Sequence, residues 1–123
     1  MKIDTTKTGL EMIFPDYGAR IIYILINSKG ELTNREAHEQ VNDFFVSQDK
    51  TISRATIINF MNKSVDHGFL TERKVTCKGG WKSIYKAAVN RIGLWEIVLD
   101  LIAQNIKDDS DPGIFDHYHS TAE

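Results

Sequence analysis

One stretch constrains the chain more than any other, Thr51 to Ala88, which reads TISRATIINFMNKSVDHGFLTERKVTCKGGWKSIYKAA. From Ser53 to His67 it lacks Gly and Pro, and Ile57, Phe60, Met61 and Val65 recur at three-to-four spacing, the period of a helix buried along one side. The spacing predicts a helix of about four turns. Arg54, Thr56, Asn59, Asn62 and Lys63 fall on the other side, all able to donate hydrogen bonds and none acidic, so that face suits an anionic partner. Gly68 offers the left-handed conformation that ends a helix, and Phe69 and Leu70 lead into a strand. Lys78, Gly79 and Gly80 form a bend between two basic strands, Arg73 and Lys74 on the first, Lys82 and Lys86 on the second. Val75, Ile84 and Tyr85 supply β-preferring bulk. A basic helix followed by a basic hairpin predicts a winged helix-turn-helix, in which the helix enters the major groove of DNA and the wing lies along neighbouring phosphates.

The order Ser53-Arg54-x-Thr56-Ile57, then Gly68-Phe69-Leu70, then a basic hairpin ending near Tyr85, resembles winged-helix repressors of the MarR and penicillinase-repressor types. The resemblance covers roughly residues 16–88. It implies a duplex-DNA-binding transcriptional repressor, released by a small-molecule inducer in one type and by proteolysis in the other. Ser64 departs from the pattern, because such repressors carry Leu or a similar core residue there.

Charge distribution agrees with this reading better than net charge does. The whole chain carries −2, but residues 50–86 hold eight Lys/Arg against two acids, a balance of +6, and the remainder carries −8. Such polarity presents one attractive face to a polyanion and restricts docking orientation. The plainer alternative is that these lysines and arginines are merely solvated.

Ahead of this stretch, Leu10, Met12, Ile13 and Phe14 form an apolar patch in the N-terminal segment, residues 1–14, which is expected to pack at a dimer interface. Pro15 and Asp16 start a first helix with the stripe Tyr17, Ile21, Ile22, Leu25 and Ile26, ended by Asn27-Ser28-Lys29-Gly30. Gly18 is an unusual residue for its first turn. Leu32 is placed for a one-bridge strand beside the wing. Thr33-Asn34-Arg35-Glu36 is a capping box that fixes the second helix, whose stripe is Ala37, Val41, Phe44 and Phe45. Ser47 to Lys50 makes a longer connection to the next helix than the basic helix-turn-helix has.

Beyond the wing, Arg91 to Lys107 reads as helix. Ile92, Trp95, Leu99, Ile102 and Ile106 follow the alternating three-four spacing of an a/d seam, which Leu94, Val98 and Leu101 widen. That predicts a dimerisation helix within residues 89–107; a helix folded back on its own core is the alternative. Residues 108–123 form an acidic tail, expected to be mobile, with the turn signal Pro112-Gly113.

The predicted fold is therefore mainly α with a small β-hairpin wing (α+β): a winged helix-turn-helix over residues 15–88 plus a C-terminal dimerisation helix. The predicted function is a sequence-specific, homodimeric DNA-binding regulator, acting as a repressor by occupying its operator. The alternative is a winged-helix module for replication or for protein-protein interaction. Ser53, Arg54, Thr56 and Asn59 are the expected base readers, with Arg54 suited to guanine and Asn59 to adenine. Lys63, Arg73, Lys74, Lys78 and Lys82 are the expected phosphate contacts, and Trp81, beside the glycine turn, is expected to cap the hairpin, with intercalation the alternative. Partners are double-stranded DNA and a second copy of the chain.

Other chemistry finds little support. The sequence lacks a phosphate-binding glycine loop, a nucleophile elbow and a His-Glu zinc motif, so no enzyme and no cofactor are expected. His117 and His119 beside Asp116 offer too few ligands for a closed zinc site, and no metal is expected. Cys77, the one cysteine, excludes an intrachain disulfide; beside Lys74 and Lys78 it is either a redox-sensing thiol or incidental. No apolar run is long enough for a membrane span, and MKIDTTKTGL has no signal-peptide core, so a cytoplasmic location is expected.

Overall fold

The computed structural model describes residues 2–107. They divide between two units, Met1–Asn90 and Arg91–Glu123. Of the second, the described part is one helix; the acidic tail, with Pro112-Gly113, His117 and His119, lies outside the described residues.

In the first unit, a 3-10 turn at Gly9–Met12 leads into α1 (Asp16–Ser28). Pro15 stands just before α1 with extended backbone, where its missing N–H costs nothing. Gly18 is there because of a neighbour. A Cβ at this position would lie 2.4 Å from Cε2 of Phe60, so only glycine lets the two helices approach this closely. Ile21, Ile22 and Leu25 are buried as expected, while Tyr17 and Ile26 sit at the margin. The left-handed residue that ends α1 is Lys29 (φ 54°) rather than Gly30, with the Ser28 hydroxyl donating to the Ile24 carbonyl at 2.6 Å.

The strand β1 (Glu31–Thr33) is longer than one bridge, and α2 (Asn34–Phe45) follows directly. Its capping box is complete: the Glu36 amide donates to Thr33 Oγ1 at 3.1 Å, and the Thr33 amide to Glu36 Oε1 at 3.0 Å. Phe44 does not join the buried stripe. Ala37, Val41 and Phe45 hold a strict i, i+4 row that turns Phe44 outward to 46% exposure, where the Arg20 guanidinium lies 4.2 Å over its ring.

A 3-10 turn at Val46–Gln48 and a left-handed Asp49 lengthen the connection to α3 (Arg54–Asp66). Then β2 (Leu70–Cys77) and β3 (Gly80–Ala87) pair antiparallel around Lys78-Gly79, with Gly79 at φ 95° supplying the turn. β1 pairs with β3, Leu32 opposite Tyr85, giving strand order β1-β3-β2. Three helices, a three-stranded sheet and a protruding two-stranded ribbon in this order make a winged helix.

Core positions come from every α-helix and strand of this unit and from the first 3-10 turn: Leu10, Ile13, Ile21, Ile22, Leu25, Leu32, Val41, Ile57, Met61, Leu70 and Tyr85 are buried. Phe14 adds edge-to-face contacts with Phe60 and Phe69 at centroid distances of 5.7 and 5.3 Å. The N-terminal apolar patch is thus packed within its own domain.

In the second unit, α4 spans Arg91–Lys107. Leu94 and Val98 are its buried residues, whereas Ile92 and Leu99 are 71% and 55% exposed and Trp95, Ile102 and Ile106 are half-buried. The predicted seam is therefore the less covered side of this helix.

Candidate nucleic-acid interface

The position of α3 is fixed by its neighbours on both flanks. Asn42 of α2 accepts from the Ile52 amide at 2.8 Å and donates to the Ile52 carbonyl at 3.1 Å and the His38 carbonyl at 2.9 Å. One carboxamide thereby satisfies both backbone groups of a residue two positions before the helix. On the other flank, the Tyr85 hydroxyl donates to Asn62 Oδ1 at 3.0 Å, joining the wing's base to α3. Burial pushes the Tyr85 phenol above its ordinary pKa, so it stays a donor across neutral pH.

Ile57, Met61 and Ser64 form the buried side of α3. Ser64, at 2% exposure, takes the core position where Leu was the expected residue type, so the departure in sequence changes the side chain and not the rotation of the helix. The outward side carries Ala55, Asn59, Asn62, Lys63 and Asp66, with Arg54 exposed at its start. Two expectations are corrected here. Asp66 places one acid on that face, and Thr56 is half-buried there, its amide capped by Ser53 Oγ at 3.1 Å. Ser53 and Thr56 hydroxyls also bond each other at 2.8 Å, so both expected base readers are engaged at the helix start.

The ribbon sorts the expected phosphate contacts by side. Register pairs Lys74 with Ser83 and Thr76 with Trp81, on the same side of the sheet as buried Leu70 and Tyr85, which is the side α3 occupies. Arg73, Lys82 and Lys86 alternate to the opposite side, and Lys78 sits at the tip. Arg73 donates to Glu31 Oε2 at 2.8 Å, and Lys50 is ion-paired with Asp16, so acids from outside the basic stretch engage two of its cations. Arg54, Asn59 and Lys63 on α3, with Lys74, Lys78 and Lys82 on the ribbon, remain exposed.

Trp81 does not cap the hairpin. It is 70% exposed and lines a hollow with Lys74, Lys82 and Ser83. Ala55 is the exposed residue of the helical row 55, 59, 62, 66 that the sequence reading left unnamed. Pairing across the glycine turn assigns Trp81 to the α3 side.

Behind α3 lies an open cleft of about 770 Å³, walled by Phe14, Phe60, Ser64 and Phe69 and covered by the N-terminal segment. Formal charges around it cancel, Lys2, Lys7 and Lys63 against Asp4, Glu11 and Asp16, so it selects no charge class of ligand. Among the described residues no three His, Cys, Asp or Glu side chains gather as a metal site, and no helix is long and apolar enough to cross a membrane.

No family model and no curated protein matches this sequence. Among solved structures, the chain is similar to Bacillus subtilis PadR in complex with operator DNA, at 24% identity and a TM-score of 0.48. The match covers 70% of this chain and 45% of the PadR chain, so this protein spans less than half the length of that neighbour.

Proposed function

We propose that this protein binds duplex DNA as a transcriptional regulator, with α3 in the major groove and the ribbon along adjacent phosphates. The observation that carries the reading is the exposed set Arg54, Asn59 and Lys63 on α3 with Lys74 on the α3 side of a ribbon whose tip is Lys78. The Tyr85–Asn62 hydrogen bond holds the two parts in one frame. Arg54 and Asn59 are the free base-reading candidates. Arg presents two parallel donors that match guanine, and Asn a donor and an acceptor that match adenine. Lys63, Lys74, Lys78 and Lys82 fit the role of phosphate contacts, which position the protein without reading sequence.

The finer reading is a homodimeric repressor. Its support is the a/d seam on α4, whose Ile92 and Leu99 are exposed in the single chain. A two-fold axis there would set two α3 helices on successive major grooves, with half-sites about 10 base pairs apart centre to centre. Operator occupancy then excludes polymerase with no chemistry from the protein. Selecting bound duplexes from a random pool tests both levels. A pseudo-palindromic consensus supports the dimeric regulator, and a pool that stays random rejects sequence-specific binding.

A further inference from the structure

We propose that Trp81 is a DNA wedge: its indole enters the minor groove beside the ribbon and stacks on an opened base step, bending the duplex. The inference rests on the DNA-binding reading and assigns a role that the phosphate contacts do not fill.

Folding gives no reason for this residue. Trp81 is 70% exposed near a glycine turn, and among the described residues its ring has no stacking or cation-π partner. A large aromatic ring left in water is a common mark of an interaction surface. The surroundings select the partner. Residues 73–82 carry Arg73, Lys74, Lys78 and Lys82 and no acid, and a shallow hollow beside the ring is lined by Lys74, Lys82 and Ser83. An apolar partner would have to desolvate those ammonium groups, whereas a phosphate backbone neutralises them while its bases receive the ring. Register places the indole on the side of the ribbon that α3 occupies. Beyond Ile84, β3 has no β1 partner, so the outer wing is a ribbon only two strands wide. Hydrophobic side chains inserted from the minor groove unstack base steps and kink DNA towards the major groove, where α3 would lie.

The test uses a duplex recovered from the random-pool selection, carrying a donor and an acceptor dye at its ends. The chain has two tryptophans, Trp81 and Trp95, so the difference in emission between the parent and Trp81→Phe isolates the Trp81 indole. Binding is expected to quench its emission and shield it from iodide, and energy transfer should report shortened end-to-end distance. Trp81→Ala is expected to bind about tenfold more weakly, a typical loss for one aromatic-base stack. Its salt slope should be unchanged and its duplex straight; Trp81→Phe should recover part of the affinity and bend. Unaltered emission on saturation, or a Trp81→Ala complex as tight and as bent as the parent, overturns the wedge and leaves DNA binding standing. A parent protein that recovers no duplex overturns both.

Discussion

The carboxamide of Asn42 makes both backbone hydrogen bonds of Ile52, at 2.8 and 3.1 Å, and so ties the start of α3 to α2. Asn42→Ala should leave a partly buried amide and carbonyl unpaired, costing about 2–3 kcal/mol. Asn42→Asp keeps the acceptor and loses both donated bonds, so it should be intermediate. Urea unfolding of the three proteins gives the order; equal midpoints would show that water replaces the carboxamide without cost.

Gly18→Ala reverses the usual sign of a helical glycine substitution. Alanine ordinarily gains up to about 1 kcal/mol in a helix. Here the new Cβ meets the Phe60 ring, which Phe14 and Tyr17 hold edge-to-face at 5.7 and 5.8 Å. Overpacking of this kind costs about 1–3 kcal/mol. Adding Phe60→Leu should recover part of the loss, a pattern that plain helix propensity does not give.

Alkaline pH should weaken the fold through two phenols, buried Tyr85 and half-buried Tyr17. Burial raises the pKa of Tyr85 and of Tyr17 in the folded chain. Below the unfolded tyrosine pKa of about 10, both states are neutral and the contribution is fully present. As pH rises past that value the unfolded chain ionises first, and stability falls until the folded groups titrate. Urea midpoints measured at rising alkaline pH should fall less steeply for Tyr85→Phe than for the parent, with Tyr17 supplying the remainder. At neutral pH the same variant loses the bond to Asn62, about 1 kcal/mol.

These residues also mark what was legible in the sequence. Helix and strand positions followed from periodicity and turn chemistry, because each element buries one side: the capping box at Thr33, the exit at Gly68 and the glycine turn all stand where local chemistry put them. Contacts between distant elements were not legible. Gly18 is explained only by Phe60, Asn42 only by Ile52, and the ion pairs of Lys50 and Arg73 only by Asp16 and Glu31. At the candidate interface the local signal was dual: Ser53 and Thr56 sit where a helix is capped and also where bases are read, and the structure shows them bonded to each other in the cap.

The dimer proposed through α4 should be separable from folding of the first unit. Replacing Trp95 and Leu99 together with charged residues should give a monomer with the winged-helix domain intact and operator affinity lower by orders of magnitude, since the second helix is no longer held nearby. Sedimentation is the direct check on the unaltered protein: a mass near 14.0 kDa at micromolar concentration would refute the dimer.

Duplex affinity measured across a salt titration tests the central claim most directly. Phosphate binding by Lys63, Lys74, Lys78 and Lys82 should make log affinity fall linearly with log salt, with a slope on the order of −4 per protomer. The Lys78→Ala/Lys82→Ala variant should lose about two units of slope and bind all sequences more weakly. No measurable duplex binding at low salt, or a slope that the double variant leaves unchanged, would contradict the assignment of α3 and the ribbon to DNA.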